Sequence, residues 1–560
     1  MGHKVPKAVL LILFFLPFFV APDHSSVWDT TEAFYAQIPR EMVESGDWLV
    51  PTFNGIPQLD KPPLSHWVVG GFYKLFGISL LWERLVMALA ATGSLATVYL
   101  IGRQLFASPV ALLGVGILAT TFRFHAAARR LPMDTLMLFC DLLAILFVIL
   151  WVRKEQRPYH FLLAALFFGL AFLTKGPVAL FPLGFLVPWF FLYERKPLRP
   201  HAGWMALGSA LFLGVSLCWF VALGLGYSWE PVWDFFLREN LGRFAHMDFG
   251  PQRNLFYYFG VFAGDFAPWS LLVPGALVWV ARSRHSTEIG KAKIPLLFLG
   301  GWFLIYFGVF SLSSNKQDYY ILPLYPAAAL FVAFFISKVP ESRALRWVVG
   351  PLLLLLSLLT WWMTPLIFPG GFLLWLAPLA LLTASFFAIL RKTKLLLVAF
   401  SMFYLLGLLT YQKPFERYRP IHGFAQTIQG VLEASDSLVE PGYFRFAAPS
   451  LRFYLDRNIL ELTGSYSHKR TTGVQTKRPI DEAVEALESP STVLLITDLN
   501  GLNELKERLE GQIHIVETRP RFHTKARHFI QALISESGGE ASRWSRDLYL
   551  TSNRALGDSP

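Results

Sequence analysis

Long apolar runs follow one another through most of the chain. Between about Leu10 and Thr410 these runs are roughly 17–25 residues long and are separated by polar loops. A helix of this length crosses a bilayer core of about 30 Å. The pattern therefore predicts an α-helical polytopic membrane protein with about 13 transmembrane helices, the first an uncleaved span that begins near Lys7.

The pattern changes after residue 410, where ordinary soluble composition begins. Residues Val493–Thr497 form a continuous apolar run typical of a buried strand, and Asp498 is suited to cap a helix over Leu502–Leu509. Another short strand is predicted at His514–Glu517. Alternating strands and helices indicate a small α/β soluble domain over residues 411–560, which follows a transmembrane domain over residues 1–410.

Composition supports the membrane assignment. Hydrophobic residues make up 54% of the 560 residues and charged residues only 16%, whereas soluble proteins carry about 25% charged residues. The net charge of +11 does not indicate a nucleic-acid partner, because the basic residues lie in short loops between apolar runs.

Every second loop between the apolar runs is short and basic, which determines the predicted orientation. Cytoplasmic loops of membrane proteins are enriched in lysine and arginine. The basic loops carry Arg103; Arg153, Lys154 and Arg157; Arg195, Lys196 and Arg199; Arg282, Arg284, Lys291 and Lys293; Lys338, Arg343 and Arg346; and Arg391, Lys392 and Lys394. We therefore predict a cytoplasmic amino terminus and a carboxyl-terminal domain on the outer side of the membrane.

The loops on the opposite side differ in length and chemistry. Two of them are long, over residues 22–79 and 227–266, and they carry carboxylates, histidines, tryptophans and prolines. Short outer loops contain Arg129–Asp134, Thr174–Pro177 and Ser313–Asp318. Loops that only connect spans do not need so many titratable groups, so this asymmetry places the chemistry at the outer face.

The outer loops contain an ordered set of motifs. In the first long loop, apolar residues at helical spacing from Phe34 to Val43 predict an amphipathic helix at the membrane interface. This helix belongs to the run TEAFYAQIPREMVESGDWLVPTFNGIPQLDKPPLSHW, residues 31–67. Later motifs are PMD at residues 132–134, LTKGP at 173–177, ENLGRFAH at 239–246, and SSNK at 313–316 followed by YILPLYP at 320–326.

Taken together, these motifs resemble those of bacterial GT-C glycosyltransferases, in particular the family that contains lipid A aminoarabinose transferase and the bacterial relatives of protein mannosyltransferases. The resemblance extends over roughly residues 1–410. It implies a GT-C fold and transfer of a sugar from a polyprenyl-phosphate carrier to a lipid A, glycan or protein acceptor. It also implies that the reaction takes place at the outer face of the bacterial inner membrane, with the long loops and the carboxyl-terminal domain in the periplasm or outside the cell.

The resemblance assigns roles to several cations at the outer ends of spans. A lipid phosphate is the leaving group, and nearby cations stabilise the negative charge that develops on it. Lys175 and Lys316 lie in matching motifs, and Arg129, Arg130 and Lys61 are further candidates. The alternative is that these side chains only extend from span ends into the membrane interface.

The resemblance also implies a carboxylate that deprotonates or orients the acceptor. Related enzymes carry an aspartate just before the glutamate at the start of the interfacial helix, whereas this chain has Thr31 there. Glu32 and Asp29 are the remaining candidates for the base, and Asp134 matches the second acidic motif. Alternatively, Asp29 and Glu32 form a capping box, and Asp134 caps a span.

Asp60 and His246 form a candidate metal pair, because some relatives hold a divalent ion between the acid before Lys-Pro-Pro and a later histidine. Two ligands are few for zinc, which normally has at least three protein ligands. The alternative is a hydrogen bond that joins the two long outer loops.

A lipid or glycolipid transporter without transferase activity is the main alternative function. A transporter of this kind is expected to have ionisable residues near mid-membrane, or broken helices in paired halves. Here the ionisable residues cluster at span ends on one side, and no internal repeat is visible. The sequence therefore favours the glycosyltransferase.

Overall fold

The computed structural model describes residues 7–20, 26–27, 31–130, 132–153, 157–194, 202–242, 253–339, 345–367, 371–435, 438–462, 478–522 and 545–555. The helices before the soluble domain are α1 (Lys7–Phe19), α2 (Thr31–Ser45), α3 (Leu64–Phe76), α4 (Leu80–Leu105), α5 (Ser108–Ala119), α6 (Phe122–Arg130), α7 (Pro132–Arg153), α8 (Pro158–Lys175), α9 (Leu183–Trp189), α10 (Ala202–Gly226), α11 (Glu230–Asp234), α12 (Tyr257–Asp265), α13 (Val273–Arg282), α14 (Thr287–Leu312), α15 (Tyr325–Lys338), α16 (Gly350–Ile367), α17 (Leu376–Ile389) and α18 (Thr393–Glu416).

Nine helical segments in the described part of the chain are long and apolar enough to cross a membrane. They are Leu80–Leu105, Met133–Arg153, Pro158–Leu180, Ala202–Gly226, Thr287–Leu312, Asp318–Lys338, Leu345–Pro365, Phe372–Ile389 and Thr393–Glu416. Two bent pairs raise this number to eleven if each pair is one span. The prediction of a polytopic helical membrane protein is confirmed.

The predicted number of about 13 spans is not confirmed, because two apolar helices are too short to cross a membrane and two helix pairs are sharply bent. Helix α1 and the apolar segment Leu183–Leu192 are shorter than the ~20 residues that a span requires. Helices α5 and α6 meet at an angle of 64°, and α12 meets the segment Trp269–Arg282 at 108°. At the first bend the Thr121 amide donates to the Leu118 carbonyl oxygen over 3.0 Å, and the Ile117 carbonyl oxygen at the end of α5 accepts instead from the Thr121 hydroxyl over 2.9 Å.

The first long outer loop is an ordered layer against the helices. Helix α2 confirms the predicted amphipathic helix, with Ile38 and Met42 packed beside Phe53. Strands β1 (Thr52–Phe53) and β2 (Ile56–Pro57) form a hairpin, and its turn residues Asn54 and Gly55 have positive φ, as a tight hairpin requires. Trp219 of α10 donates its indole N–H to the Leu49 carbonyl oxygen over 2.9 Å, which attaches the loop to the helices.

The carboxyl-terminal part confirms the predicted α/β domain. Its elements are α19 (Pro420–Ala434), β3 (Val439–Phe444), α20 (Ser450–Leu455), β4 (Leu460–Leu462), α21 (Pro479–Leu487), β5 (Thr492–Asp498), α22 (Leu499–Arg508), β6 (His514–Phe522) and β7 (Ser545–Ser552). The sheet order is β4-β3-β5-β7-β6, with β3 parallel to β4 and β5 and with β7 antiparallel to β5 and β6. The Asp498 carboxylate accepts from the Gly501 amide over 2.8 Å and caps α22, as predicted. The domain boundary at residue 410 stays a prediction and falls inside α18.

The soluble domain contacts the first outer loop directly. The Asn54 side chain donates to the Ile459 carbonyl oxygen and accepts from the Ile459 amide, both over 2.9 Å. Buried Glu41 of α2 lies 3.3 Å from the Arg452 guanidinium of α20. These contacts place the first outer loop and the soluble domain on the same side of the membrane-spanning helices.

We expect Glu41→Gln to weaken this contact and to lower the thermal unfolding temperature of the purified protein. The Glu41 carboxylate accepts from the Asn54 amide over 2.8 Å, from the Thr52 hydroxyl over 2.9 Å and from the Gln37 amide over 2.9 Å. An amide NH2 group would face donors there, at a cost of about 1–3 kcal/mol. Glu44→Gln is the matched control on the same helix, because its ion pair with Arg40 is exposed. Equal unfolding temperatures for the two variants would contradict the prediction.

Candidate active site

A cavity of about 530 Å³ lies between the ends of the helices and the two long loops and has two lysines on its wall. We call it the lysine cavity. Its charged lining residues are Lys61, Lys175 and Glu239. The remaining wall consists of Pro177, Val178, Phe181, Phe235, Phe236, Asn240, Leu241, Val309, Phe310, Ser313, Asn315 and Tyr320. A mainly apolar wall with few charges suits a ligand that joins an apolar chain to an anionic group.

Lys175 is held at the end of α8 by a local backbone turn and by a carboxylate. The next residue, Gly176, has φ +79°, and a Cβ atom there would lie 2.5 Å from the Phe235 ring, so the turn requires glycine. The Lys175 ammonium forms an ion pair with Asp134 near the start of α7. It also lies 5.1 Å from the ring centroid of Tyr320, a favourable cation–π distance.

Lys61 and Glu239 come from the two long outer loops and meet at the same cavity. The Lys61 ammonium donates to the Asp60 carbonyl oxygen over 2.7 Å and to its carboxylate over 3.0 Å. It lies 3.9 Å from a Glu239 carboxylate oxygen. Glu239 is the first residue of the motif ENLGRFAH but was not among the predicted site residues, although this position was a usable signal.

An arginine anchors the loop that carries Ser313, Asn315 and Tyr320 on the cavity wall. Arg123 of α6 donates to the Asp265 carboxylate and to the Asp318 carboxylate, each over 2.7 Å. These three residues join α6, the end of α12 and the loop. No sequence motif pointed to Arg123, which was missed.

A second, smaller cavity of about 230 Å³ contains four arginines, and we call it the arginine cavity. Its lining residues are Glu32, Arg84, Arg129, Arg130, Gly407, Leu408, Tyr411, Gln412, Phe415, Glu416 and Arg419. The Glu32 carboxylate is buried and accepts from the Arg84 guanidinium over 2.7 Å.

Comparison with known proteins gives consistent matches. Residues 60–219 match the family described as dolichyl-phosphate-mannose-protein mannosyltransferase. An uncharacterized protein of Aquifex aeolicus (strain VF5) is 31% identical over 476 residues, which cover 82% of this chain and 88% of the relative. The undecaprenyl phosphate-alpha-4-amino-4-deoxy-L-arabinose arabinosyl transferase of Pseudomonas paraeruginosa is 30% identical over 352 residues, which cover 62% of each chain. The crystal structure of ArnT from Cupriavidus metallidurans bound to undecaprenyl phosphate has a TM-score of 0.73 at 18% identity and covers 99% of both chains.

This chain belongs to the GT-C membrane glycosyltransferases of the aminoarabinose and protein mannosyl transferase type. The match covers less than two thirds of the length of the P. paraeruginosa transferase, and the likeness to ArnT shows the fold alone. The comparisons give no support to the transporter alternative.

The structure divides the predicted site residues of the glycosyltransferase between two places. Lys61, Lys175 and Asp134 come together at the lysine cavity. Arg129, which was grouped with them for one phosphate, lines the arginine cavity instead, together with Glu32. Sequence indicates only that these residues lie near the outer ends of spans, whereas helix packing decides which cavity each one faces.

Lys316 is placed differently from the prediction. Its ammonium donates to the Ser313 carbonyl oxygen within its own loop, and its side chain is buried. Burial lowers the pKa of Lys316. The backbone of Lys316 is held by Arg253, which donates to its carbonyl oxygen over 2.8 Å. Lys316 therefore shapes the loop and does not line the lysine cavity.

The remaining predicted residues concern the base and the metal. Asp29 and His246 lie outside the described residues. The Asp60 carboxylate is an acceptor for Lys61, and the described part of the chain contains no group of three or more metal-ligating side chains. One described carboxylate is too few for a zinc site. The metal pair stays a prediction.

Proposed function

We propose that this glycosyltransferase takes a sugar from a polyprenyl-phosphate carrier bound in the lysine cavity and passes it to an acceptor at the outer face of the bacterial inner membrane. The observation that carries the proposal is that Lys61 and Lys175 line one largely apolar cavity of about 530 Å³. The phosphate would lie between the two ammonium groups, and the first isoprene units would contact the aromatic wall.

Lys175 and Lys61 would act when the bond between the sugar C1 and the phosphate oxygen breaks. Negative charge then develops on the phosphate, and fixed cations in a site of low dielectric constant stabilise it strongly. Asp134 holds the Lys175 ammonium in position through an ion pair, and the Tyr320 ring contributes a cation–π contact. The acceptor oxygen forms the new bond to C1.

A carboxylate is needed to take the proton of a hydroxyl acceptor or to orient the acceptor. Glu239 lies on the wall of the lysine cavity, so we propose it for this role. Glu32 lies on the arginine cavity, where its carboxylate accepts from Arg84. Asp134 forms an ion pair with Lys175, and we propose that it positions the Lys175 ammonium.

We propose a cytoplasmic amino terminus and a soluble domain in the periplasm or outside the cell. The alternation of basic loops supports this orientation. The contact between the soluble domain and the first long loop supports a common side for both. The donor sugar is proposed to resemble that of the arabinosyl transferase relatives, and the acceptor to be lipid A, another glycan or a protein hydroxyl.

The test is a transfer assay with the purified protein in proteoliposomes and a panel of polyprenyl-phospho-sugars. We expect at least one radiolabelled sugar to move to a membrane acceptor, and mass spectrometry of cells without the gene to show the same glycan or lipid lacking that sugar. Movement of intact labelled donor across the bilayer without transfer would instead support the transporter and overturn the proposal.

A further inference from the structure

The arginine cavity is built from four separate segments of the chain. Glu32 comes from α2, Arg84 from the start of α4, Arg129 and Arg130 from the end of α6, and the remaining lining residues from α18 and the residues just after it. Segments this far apart in sequence converge only through the tertiary fold. The cavity is distinct from the lysine cavity, and the two have no lining residue in common.

Backbone carbonyl oxygens and carboxylates hold the guanidinium groups around the cavity. The Arg419 guanidinium donates to the Ser26 carbonyl oxygen over 2.7 Å, and Arg84 donates to the same oxygen over 3.3 Å. Arg129 donates to the Val20 carbonyl oxygen over 3.1 Å. The arginines are therefore oriented by the fold before any ligand binds, which reduces the entropy that a ligand would have to lose.

The charge of the cavity favours an anion. Its lining contains four arginines and two glutamates among the residues that the structure describes. Glu32 is paired with Arg84 and Glu416 with Arg419. Arg129 and Arg130 also lie on the wall. Guanidinium groups match the geometry of phosphate oxygens because their planar N–H groups bind two oxygens at once.

The position of the cavity indicates that the anion is attached to a lipid. Gly407 and Leu408 line one side, and both belong to the candidate span Thr393–Glu416. Other lining residues belong to α2 in the first long loop and to the end of α6. A volume of about 230 Å³ accommodates a phosphate group rather than a whole glycolipid.

We propose that the arginine cavity is a second anion site, which binds the phosphate group of a membrane lipid while the polyprenyl-phosphate donor occupies the lysine cavity. The phosphate could belong to a phosphorylated lipid acceptor, which rests on the proposed function, or to an anionic phospholipid of the bilayer. Both sources present the same chemistry to the four arginines.

Binding of dioctanoyl phosphatidic acid to the purified full-length protein in detergent tests the proposal, with neutral dioctanoylglycerol as the reference lipid. We expect phosphatidic acid, but not dioctanoylglycerol, to bind saturably. Added salt should weaken this binding, because salt screens the attraction between charges. The double variant Arg129→Gln, Arg130→Gln should weaken it at least tenfold, and Arg129→Lys, Arg130→Lys should weaken it less. Lys74→Gln is the control, because Lys74 is an exposed lysine at the end of α3 that lines neither cavity, and this variant should bind phosphatidic acid like the wild type.

Equal binding of both lipids, or unchanged binding in the glutamine variant, would overturn the proposal. If the Arg129→Gln, Arg130→Gln variant does not fold, the Arg129→Lys, Arg130→Lys variant is the test. Wild-type affinity in this lysine variant would contradict the proposed bidentate contact between guanidinium groups and phosphate. Competition by a phosphorylated lipid acceptor, but not by its dephosphorylated form, would identify the acceptor as the source, and lack of competition would identify bilayer phospholipid. The measurement requires no sugar transfer, so a failed transfer assay leaves its result intact.

Discussion

Replacement of Lys175 by methionine should reduce sugar transfer by about 10²–10³-fold, the typical effect of removing one group that stabilises transition-state charge. Methionine keeps the length and apolar stem of the side chain but removes the ammonium from the wall of the lysine cavity. The measurement is the initial rate of transfer in proteoliposomes at saturating donor. Lys74→Met is the matched control, because Lys74 is an exposed lysine at the end of α3.

The Lys175 variant alone has a second effect, since it leaves the buried Asp134 carboxylate without its ammonium partner. An uncompensated buried charge is strongly destabilising. The double variant Lys175→Met, Asp134→Asn removes both charges and should recover the unfolding temperature without recovering transfer. Recovery of transfer in the double variant would show that Lys175 has only a structural role, and it would remove the main support for the lysine cavity as the donor site.

Replacement of Arg123 by methionine should lower both stability and transfer, because Arg123 joins two carboxylates on different segments. Asp265 is nearly buried, and loss of a buried ion-pair partner costs about 3–5 kcal/mol. The loop from Ser313 to Tyr320 would lose its attachment to α6, and a displacement of about 1 Å in a reacting site can reduce the rate by about 10²-fold. Thermal unfolding and the kcat and KM for the donor are the measurements.

Asp318→Asn is the matched control for the Arg123 prediction. Asp318 is half-exposed, and an exposed ion pair contributes little to stability, about 0–1 kcal/mol. We therefore expect this variant to unfold near the wild-type temperature. The kinetic effect should be smaller, because the asparagine side-chain oxygen still accepts a hydrogen bond from Arg123 and keeps the loop attached. A loss of stability in Arg123→Met with unchanged kcat and KM would mean that Arg123 stabilises the fold without positioning the loop.

The sequence predicted the elements whose pattern is local. The apolar runs indicated a polytopic helical protein, the spacing from Phe34 to Val43 indicated α2, and the run Val493–Thr497 indicated the central strand β5. Each of these signals depends on neighbours within one helix or strand, so no knowledge of the fold was needed. The ordered motifs likewise indicated the family, because they combine residue type with order along the chain.

The number and bending of the spans could not be predicted in the same way. A helix bends where backbone hydrogen bonds are satisfied differently, as at Thr121. An apolar run looks the same in the sequence whether the helix is straight or bent. The two bent pairs and the short apolar helices therefore account for the difference between the predicted and observed counts.

The sequence by itself determined that Lys61, Lys175, Arg129 and Glu32 belong to the ends of the helices and to the loops that join them. Only the tertiary structure decided that the two lysines share a cavity with Glu239, whereas Arg129 and Glu32 face another. The physical reason is that apolar length fixes the depth of a residue along a span. The direction in which its side chain points depends on the rotation and packing of each helix against neighbours distant in sequence.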